Sequence, residues 1–502
     1  MRKLYGKVTD LTYDSPSIYD TNNSGFWYPE EDISAFLPDF DTGRLPAVNA
    51  NRGDSVTAII LSSTEKATAN DTDRWLIDVA EAYNQKSDRK GSITLYGIAS
   101  GEAFDYIRSG KFIPDAWTPS NTLWGDPLNL KPDYERLAGN VAGIASKEGL
   151  SIEQVIERVE TGNINFGYTN PFASSTGANF LLQYIYNYRN ADSFADFQRN
   201  IALMSYTTLQ MRSAALSGTL DAFVYESQQF ATGKVKIGSE TTTLDTVYTL
   251  VPFGVRHDNP FYVLNESKRA LLEDFAEFAL SRDMQSKATS YGFNRFDDYK
   301  GQNIVASNLI VDQKLYQENK TGGKPVVSVF VCDVSGSMDG TPLAALKESL
   351  RNAAGIIPNS NYIGFVTFAD DVKVNLPIAQ FDNTMRNRFL EAVSSLQTRG
   401  GTAIFSGITV ALNMLIDYKE ANPGTDAIYR VFVLTDGENN RGLNRNSTFD
   451  TFRSLGIPIY CIGYNNGSED LDALAGLNEA AHIRINDQNV GYALANFFRA
   501  EF

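Results

Sequence analysis

Five oxygen-bearing residues on three separated stretches have the types and spacing to hold a hard cation. Asp333, Ser335 and Ser337 alternate in "FVCDVSGSMDG", Thr402 follows two glycines in "TRGGTAIFSG", and Asp436 closes the apolar run of "VFVLTDGENN". Two carboxylates and three hydroxyls make a small, oxygen-only donor set. Such a set suits Mg2+ or Mn2+, which keep several waters, and it lacks the thiolate or imidazole that would favour zinc. Ser and Gly after a strand ordinarily make a turn, so the agreement of three stretches is what carries the reading. A phosphate-binding loop fits poorly, because "VSGSMDGTP" has no Gly-Lys-Ser/Thr ending. Asp339 and Glu438 stand close by and read as solvated loop acids.

The elements that must position these residues surround them. "PVVSVFVCDVS", "NYIGFVTFAD", "YRVFVLTDG" and "IPIYCIGYN" are short apolar runs of strand type, separated by helical stretches such as "PLAALKESLRNAAGII" and "GITVALNMLIDYKEA". Strands apolar on both faces and alternating with helices imply a parallel sheet covered on both sides. In open sheets of this kind ligands bind beyond the carboxyl ends of the strands, where Asp333 and Asp436 stand. Asp-x-Ser-x-Ser, Gly-Gly-Thr and Thr-Asp-Gly in this order resemble the metal-ion-dependent adhesion site of von Willebrand factor type A domains, over about residues 324 to 502. The resemblance implies a doubly wound, Rossmann-like domain in which Ser335, Ser337 and Thr402 offer hydroxyl oxygens, and Asp333 and Asp436 bind the ion directly or through water. It also implies one open coordination position for an acidic side chain of a protein partner.

Upstream, "SVTAIILSS", "DTDRWLIDVAEAYNQ" and "SITLYGIAS" predict a βαβ unit that opens an α/β domain. Helical stretches follow in "SIEQVIERVETG", "GANFLLQYIYNY" and "KRALLEDFAEFALSRDMQSKA", with "LDAFVYES" and "TVYTLVPF" as strands between them. Hydroxyls recur between strands and helices: Ser62, Ser63 and Thr64; Ser100 before Gly101; and Ser174, Ser175 and Thr176 before Gly177. Hydroxyls and free backbone donors at helix N-termini can cradle an anion, and each such serine can equally be an N-cap. Together with "IRSGKFIPDAWTPS", "LSGTLDAFVYES" and "ALSRDMQSKATSYGFN", these segments resemble the type 2 periplasmic solute-binding proteins, over about residues 55 to 300. That resemblance implies two lobes around a hinge, with Ser63, Ser100, Ser120, Ser175, Thr176 and Glu226 facing a cleft for a small solute or anion. Trp117 and Trp124 could stack on a sugar, but core packing is the better reading.

The chain of 502 residues is too long for one core. We expect an extended N-terminal arm (1–54), a solute-binding-protein-like domain (55–300), a polar Gly/Pro-containing linker (301–323) and a von Willebrand factor type A domain (324–502). A net charge of -16 argues against nucleic acid as a partner. No run approaches the ~20 apolar residues of a membrane helix, so membrane association is expected only through segments outside this chain. Two cysteines and two histidines leave little room for thiol, zinc or triad chemistry. A metal-dependent hydrolase using Asp333 lacks a nearby base or nucleophile. The expected function is therefore non-enzymatic: a bacterial extracellular, cell-surface or periplasmic protein that couples a solute-binding-like domain to divalent-dependent protein binding. The alternative is a transport or sensory receptor whose second domain only docks it to a membrane complex.

Overall fold

The computed structural model describes residues 1–14, 37, 40, 45–188, 191–205, 207–218, 220–321, 324–464, 469–475, 482–485, 498 and 501–502. They divide into two compact units, one of residues 1–38 with 320–502 and one of residues 39–319. The second unit is thus an insertion in the chain of the first. Residues 15–36, 38–39 and 41–44 of the expected extended arm lie outside the described residues. Its beginning is not an arm: Arg2–Tyr5 is a helical turn and Leu11–Tyr13 a strand, both in the unit of residues 320–502. Leu4, Val8 and Leu11 are apolar and meet that unit's core, which is the reason this end folds there. The expected linker is also corrected in part, since Leu309–Asn319 is a helix that belongs to the inserted unit.

The first unit is built on a seven-stranded sheet, ordered 11–13, 372–380, 362–368, 326–333, 428–435, 459–464, 482–485. Neighbouring strands run parallel except for the hairpin of 362–368 with 372–380. The central strand Val326–Asp333 is buried along its whole length, which explains its unbroken apolar sequence. One face of the sheet packs Val329, Val331, Val433 and Cys461 against Ile404, Ile408 and Leu412 of the helix Ile404–Ala421. On the other, Phe330 and Phe432 stack at 5.3 Å and meet Phe498 and Phe502. The chain leaves strand 326–333 towards 362–368 on one side, while 428–435 flanks it on the other. The carboxyl ends of 326–333 and 428–435 therefore open at the point where the strand order reverses, where a doubly wound sheet binds ligands.

The inserted unit forms two lobes, each built on one of its larger sheets, and carries a small hairpin of 234–237 with 240–243. Strands 57–62, 92–97 and 116–118 run parallel, with 262–263 antiparallel at the edge. The helices Trp75–Gln85 and Arg269–Ala279 pack Trp75, Leu76, Leu272 and Phe275 into this lobe's core. The other sheet orders 249–256, 141–146, 222–226, 166–169 and 203–205, with the last three mutually parallel. The chain passes between the lobes before Asn140 and after His257, and the two passes touch where the His257 N–H donates to the Asn140 carbonyl at 3.0 Å. The fold is thus α/β in both units, one two-lobed and the other doubly wound. The stretch expected as one helix, 268–288, is two, 269–279 and 282–290, because Ser281 is extended.

Candidate functional site

All five candidate metal residues lie at the carboxyl edge of the first unit's sheet. Asp333 ends its strand fully buried, with Oδ1 accepting from the Ser335 N–H at 2.7 Å and Oδ2 from the Thr435 hydroxyl. Burial pushes the Asp333 carboxyl up to about 6; the Asp436 charge adds to this, and the Thr435 and Ser335 bonds oppose it. The Ser335 and Ser337 hydroxyls are 3.0 Å apart, and Ser337 donates to Asp436 Oδ1 at 2.8 Å. A Cβ built on Gly437 would lie 3.8 Å from Ser337 Oγ and 3.9 Å from Thr402 Oγ1, so the third loop meets the other two. Among the described residues no group of three or more His, Cys, Asp or Glu is placed to hold a metal. An ion here would therefore depend on hydroxyl oxygens beside two carboxylates. This donor set fits a hard divalent cation.

Backbone bonds hold the loops together. Gly336 N–H donates to the Gly400 carbonyl at 3.0 Å, and Arg399 N–H to that of Val334 at 2.7 Å. Thr402 N–H donates to Asn440 Oδ1 at 2.9 Å, while the Asn440 N–H returns to the Thr402 carbonyl at 2.9 Å. Asp370 accepts from Gly401 N–H at 2.9 Å and from Arg441 at 3.1 Å. Gly400 has φ +60°, and a Cβ there would stand 2.1 Å from Asp370 Oδ2, so this turn needs glycine. The sequence reading missed Thr435, Asn440 and Asp370. Thr435 was visible in "LTDG", but nothing in the sequence shows its hydroxyl reaching across to Asp333.

In the inserted unit, every residue expected at the cleft is buried and bonded to protein. Ser63 and Ser120 converge on Glu65, Ser120 Oγ at 2.7 Å. Ser100 Oγ accepts from the Ser120 N–H at 3.4 Å, and Ser175 Oγ from the Trp124 indole at 2.9 Å. Thr176 turns inward to Thr169 and Ser174. Glu226 Oε2 accepts from Asn140 at 2.7 Å, and Oε1 lies 2.9 Å from His257 Nδ1. None of these serines caps a helix: 100–109 and 175–183 carry no side-chain cap bond, nor does 75–85 after Ser63. Trp117 and Trp124 are fully buried core residues.

Two titratable groups that meet the expected Glu226 here, Lys66 and His257, were not expected. Lys66 is wholly buried, donating to the Ser63 hydroxyl and, at 2.9 Å, to the Thr118 carbonyl, with Glu65 at 3.7 Å. Burial lowers its ammonium to about 8, against the pull of Glu65 and Glu226. Burial also lowers His257 to about 4. The neutral imidazole donates from Nδ1 to Glu226 and accepts at Nε2 from Asn121 at 3.0 Å and Asn179 at 3.2 Å. Burial and the Glu65 charge raise Glu226 well above the ordinary carboxyl range. "SSTEK" and "RHDN" show these residues, but their convergence is purely tertiary.

Residues 329–500 match the von Willebrand factor type A domain, and residues 66–294 match the bacterial extracellular solute-binding protein family. Inter-alpha-trypsin inhibitor heavy chain H3 of Pongo abelii is 31% identical over 155 residues, covering 29% of this chain and 18% of that protein. The chain spans less than a third of the curated relatives it matches. Among solved structures, the von Willebrand factor type A protein from Catenulispora acidiphila aligns with TM-score 0.31 and 23% identity, over 36% of this chain and 42% of that one. The sulfate-binding protein SubI from Mycobacterium tuberculosis aligns with TM-score 0.35 and 13% identity, over 51% and 91%.

Proposed function

We propose that this chain is a non-enzymatic bacterial binding protein working outside the cytoplasm, whose von Willebrand-type domain engages a protein partner through a divalent cation. The observation that carries this reading is the convergence of Asp333, Ser335, Ser337, Thr402 and Asp436 from three loops onto one edge of the sheet. Asp333 and Asp436 supply charge, and the three hydroxyls supply neutral oxygens; Mg2+ or Mn2+ suits both. The ion would offer an acidic side chain of the partner a coordination position. Thr435 and Asn440 would hold Asp333 and Thr402 in place for it. An extracytoplasmic setting is supported by the solute-binding family match, and among the described residues no helix is long and apolar enough to cross a membrane.

The deciding experiment is calorimetric titration of the full chain with Mg2+ and Mn2+, paired with partner capture from extracellular extracts in Mg2+ and in EDTA. Binding of one ion, and a partner retained in Mg2+ but released by EDTA, are the expected results. A partner held equally in EDTA, or absence of divalent binding at millimolar metal, would end this reading.

A further inference from the structure

Several contacts in the inserted unit tie one lobe directly to the other. Gly101 N–H, in the first turn of helix 100–109, donates to the Ala173 carbonyl at 3.0 Å. Trp124 donates to Ser175 Oγ at 2.9 Å, and Asn121 links to His257 at 3.0 Å. Arg212 pairs with the buried Asp73 at 2.9 Å, and Gln228 Nε2 donates to the Thr72 carbonyl at 3.0 Å. At the centre the Lys66 ammonium donates to the Ser63 hydroxyl and the Thr118 carbonyl, with the Glu65 carboxylate as a counter-charge at 3.7 Å. The hydroxyls that would hold a solute, on Ser63, Ser100, Ser120 and Ser175, are all bonded to protein groups. A solute entering here would have to displace paired, desolvated groups, and leaving any of them unpaired is costly.

We propose that the chain closes this cleft upon itself, with the Lys66 ammonium as its resident cation, so that the inserted unit works as a closed body and not as a receptor for a free solute. This goes beyond the metal-dependent reading and does not depend on it. Lys66 sits in a loop of the first lobe, and Glu226 of the second lobe acts on its charge. The Lys66 partners Ser63, Glu65 and Thr118 all belong to the first lobe, and the ion pair that joins the lobes directly is Arg212 with Asp73 at 2.9 Å. Gly101 makes close approach possible: a Cβ at this position would lie 1.9 Å from the Phe172 carbonyl oxygen of the opposite lobe. Because that obstacle is backbone, no rotamer change can relieve it. Gly101→Ala therefore wedges the lobes apart while leaving every charge in place.

Lysine accessibility in the full chain provides the test. Native protein is reductively methylated and followed by peptide mass spectrometry, with the exposed Lys90 and Lys234 as internal standards. We expect Lys66 to react at least about tenfold more slowly than these standards, since reaction must await opening of the lobes. In Gly101→Ala, Lys66 should approach the rate of Lys90. A parallel thermal scan of native protein with inorganic sulfate, phosphate, sugars and amino acids should show no stabilisation, because a ligand of the native state would raise the melting temperature. Lys66 reacting as fast as Lys90 in native protein overturns the proposal, as does continued protection of Lys66 in a folded Gly101→Ala. A solute in the panel that raises the native melting temperature also overturns it. The two measurements on native protein decide the matter even where the variant fails to fold.

Discussion

Leu4→Ala is expected to loosen the unit formed by residues 320–502, although residues 39–319 separate Leu4 from it in the chain. The Leu4 side chain is 7% exposed and lies in the same apolar cluster as Val372, Val374 and Ile408. Truncating a buried leucine costs about 2–5 kcal/mol, depending on how far the site collapses. Met1, Tyr5, Val8 and Leu11 around it are only partly buried and can relax into the space. The lower end, about 2 kcal/mol, therefore applies. Other ties are polar and include the pairing of Leu11–Tyr13 with 372–374, the Val372 N–H to the Asp10 carbonyl and the Asp14 N–H to that of Val374, each at 2.9 Å, the Asp14–Lys373 ion pair at 2.7 Å, and the bonds of Arg2 to Asn413, Asp417 and Glu420. For a unit of this size, about 2 kcal/mol corresponds to a fall of roughly 4–8 °C in melting temperature. Calorimetry of the full chain gives the shift, and hydrogen exchange locates it. Amides of 372–380 and 404–421 should exchange faster, while those of 141–146 should not change. A shift below about 1 °C, or one located in residues 39–319, would show that the N-terminal segment is not part of this core. The same contacts predict that a fragment beginning at residue 320 is less stable than one that also retains residues 1–14.

Three further outcomes are expected. Asp333→Ala should abolish divalent binding in calorimetry while circular dichroism stays native, since the residue ends a strand at the loop edge; retained binding would remove Asp333 from the site. In EDTA, the raised Asp333 carboxyl contributes stability that is fully present below about pH 4 and is lost as pH rises through about 6, on the order of 3 kcal/mol at most. Urea midpoints at pH 5 and 7.5 should show that loss, Asp333→Asn should flatten it, and a pH-independent difference between the two proteins would contradict it. Metal binding should weaken below about pH 6, where the proton competes for the same oxygens. Cys332 and Cys461 should remain unbridged under oxidising conditions. Strand 428–435 separates theirs, and Cys332 aligns with Leu434 and Ile462, which puts Cys461 on the opposite face of the sheet. Two strand spacings amount to about 9–10 Å, beyond disulfide reach, so a bridged peptide in unreduced, alkylated digests would refute the register.

The amino-acid sequence alone determined what local pattern can determine. Apolar runs fully buried in a parallel sheet are continuous in sequence, so strands 326–333, 362–368, 428–435 and 459–464 could be read directly. Asp333, Ser335, Ser337, Thr402 and Asp436 follow the ends of such strands or open a helix, and sheet topology brings strand ends together. The two family resemblances rested on the same local patterns and were matched by both domain families. What remained hidden depends on contacts between residues distant in the chain. The three-residue strand Leu11–Tyr13 is too short to have a periodicity of its own, and pairing with residues 372–374 makes it a strand. Lys66 and His257 each look like ordinary surface residues in sequence, and nothing there shows them meeting Glu226. Only when two lobes press together do they lose water, and a charge removed from water must find partners within the protein. Whether a polar residue near a cleft waits for a ligand or is already satisfied is decided by that closure, and the closure exists only in three dimensions.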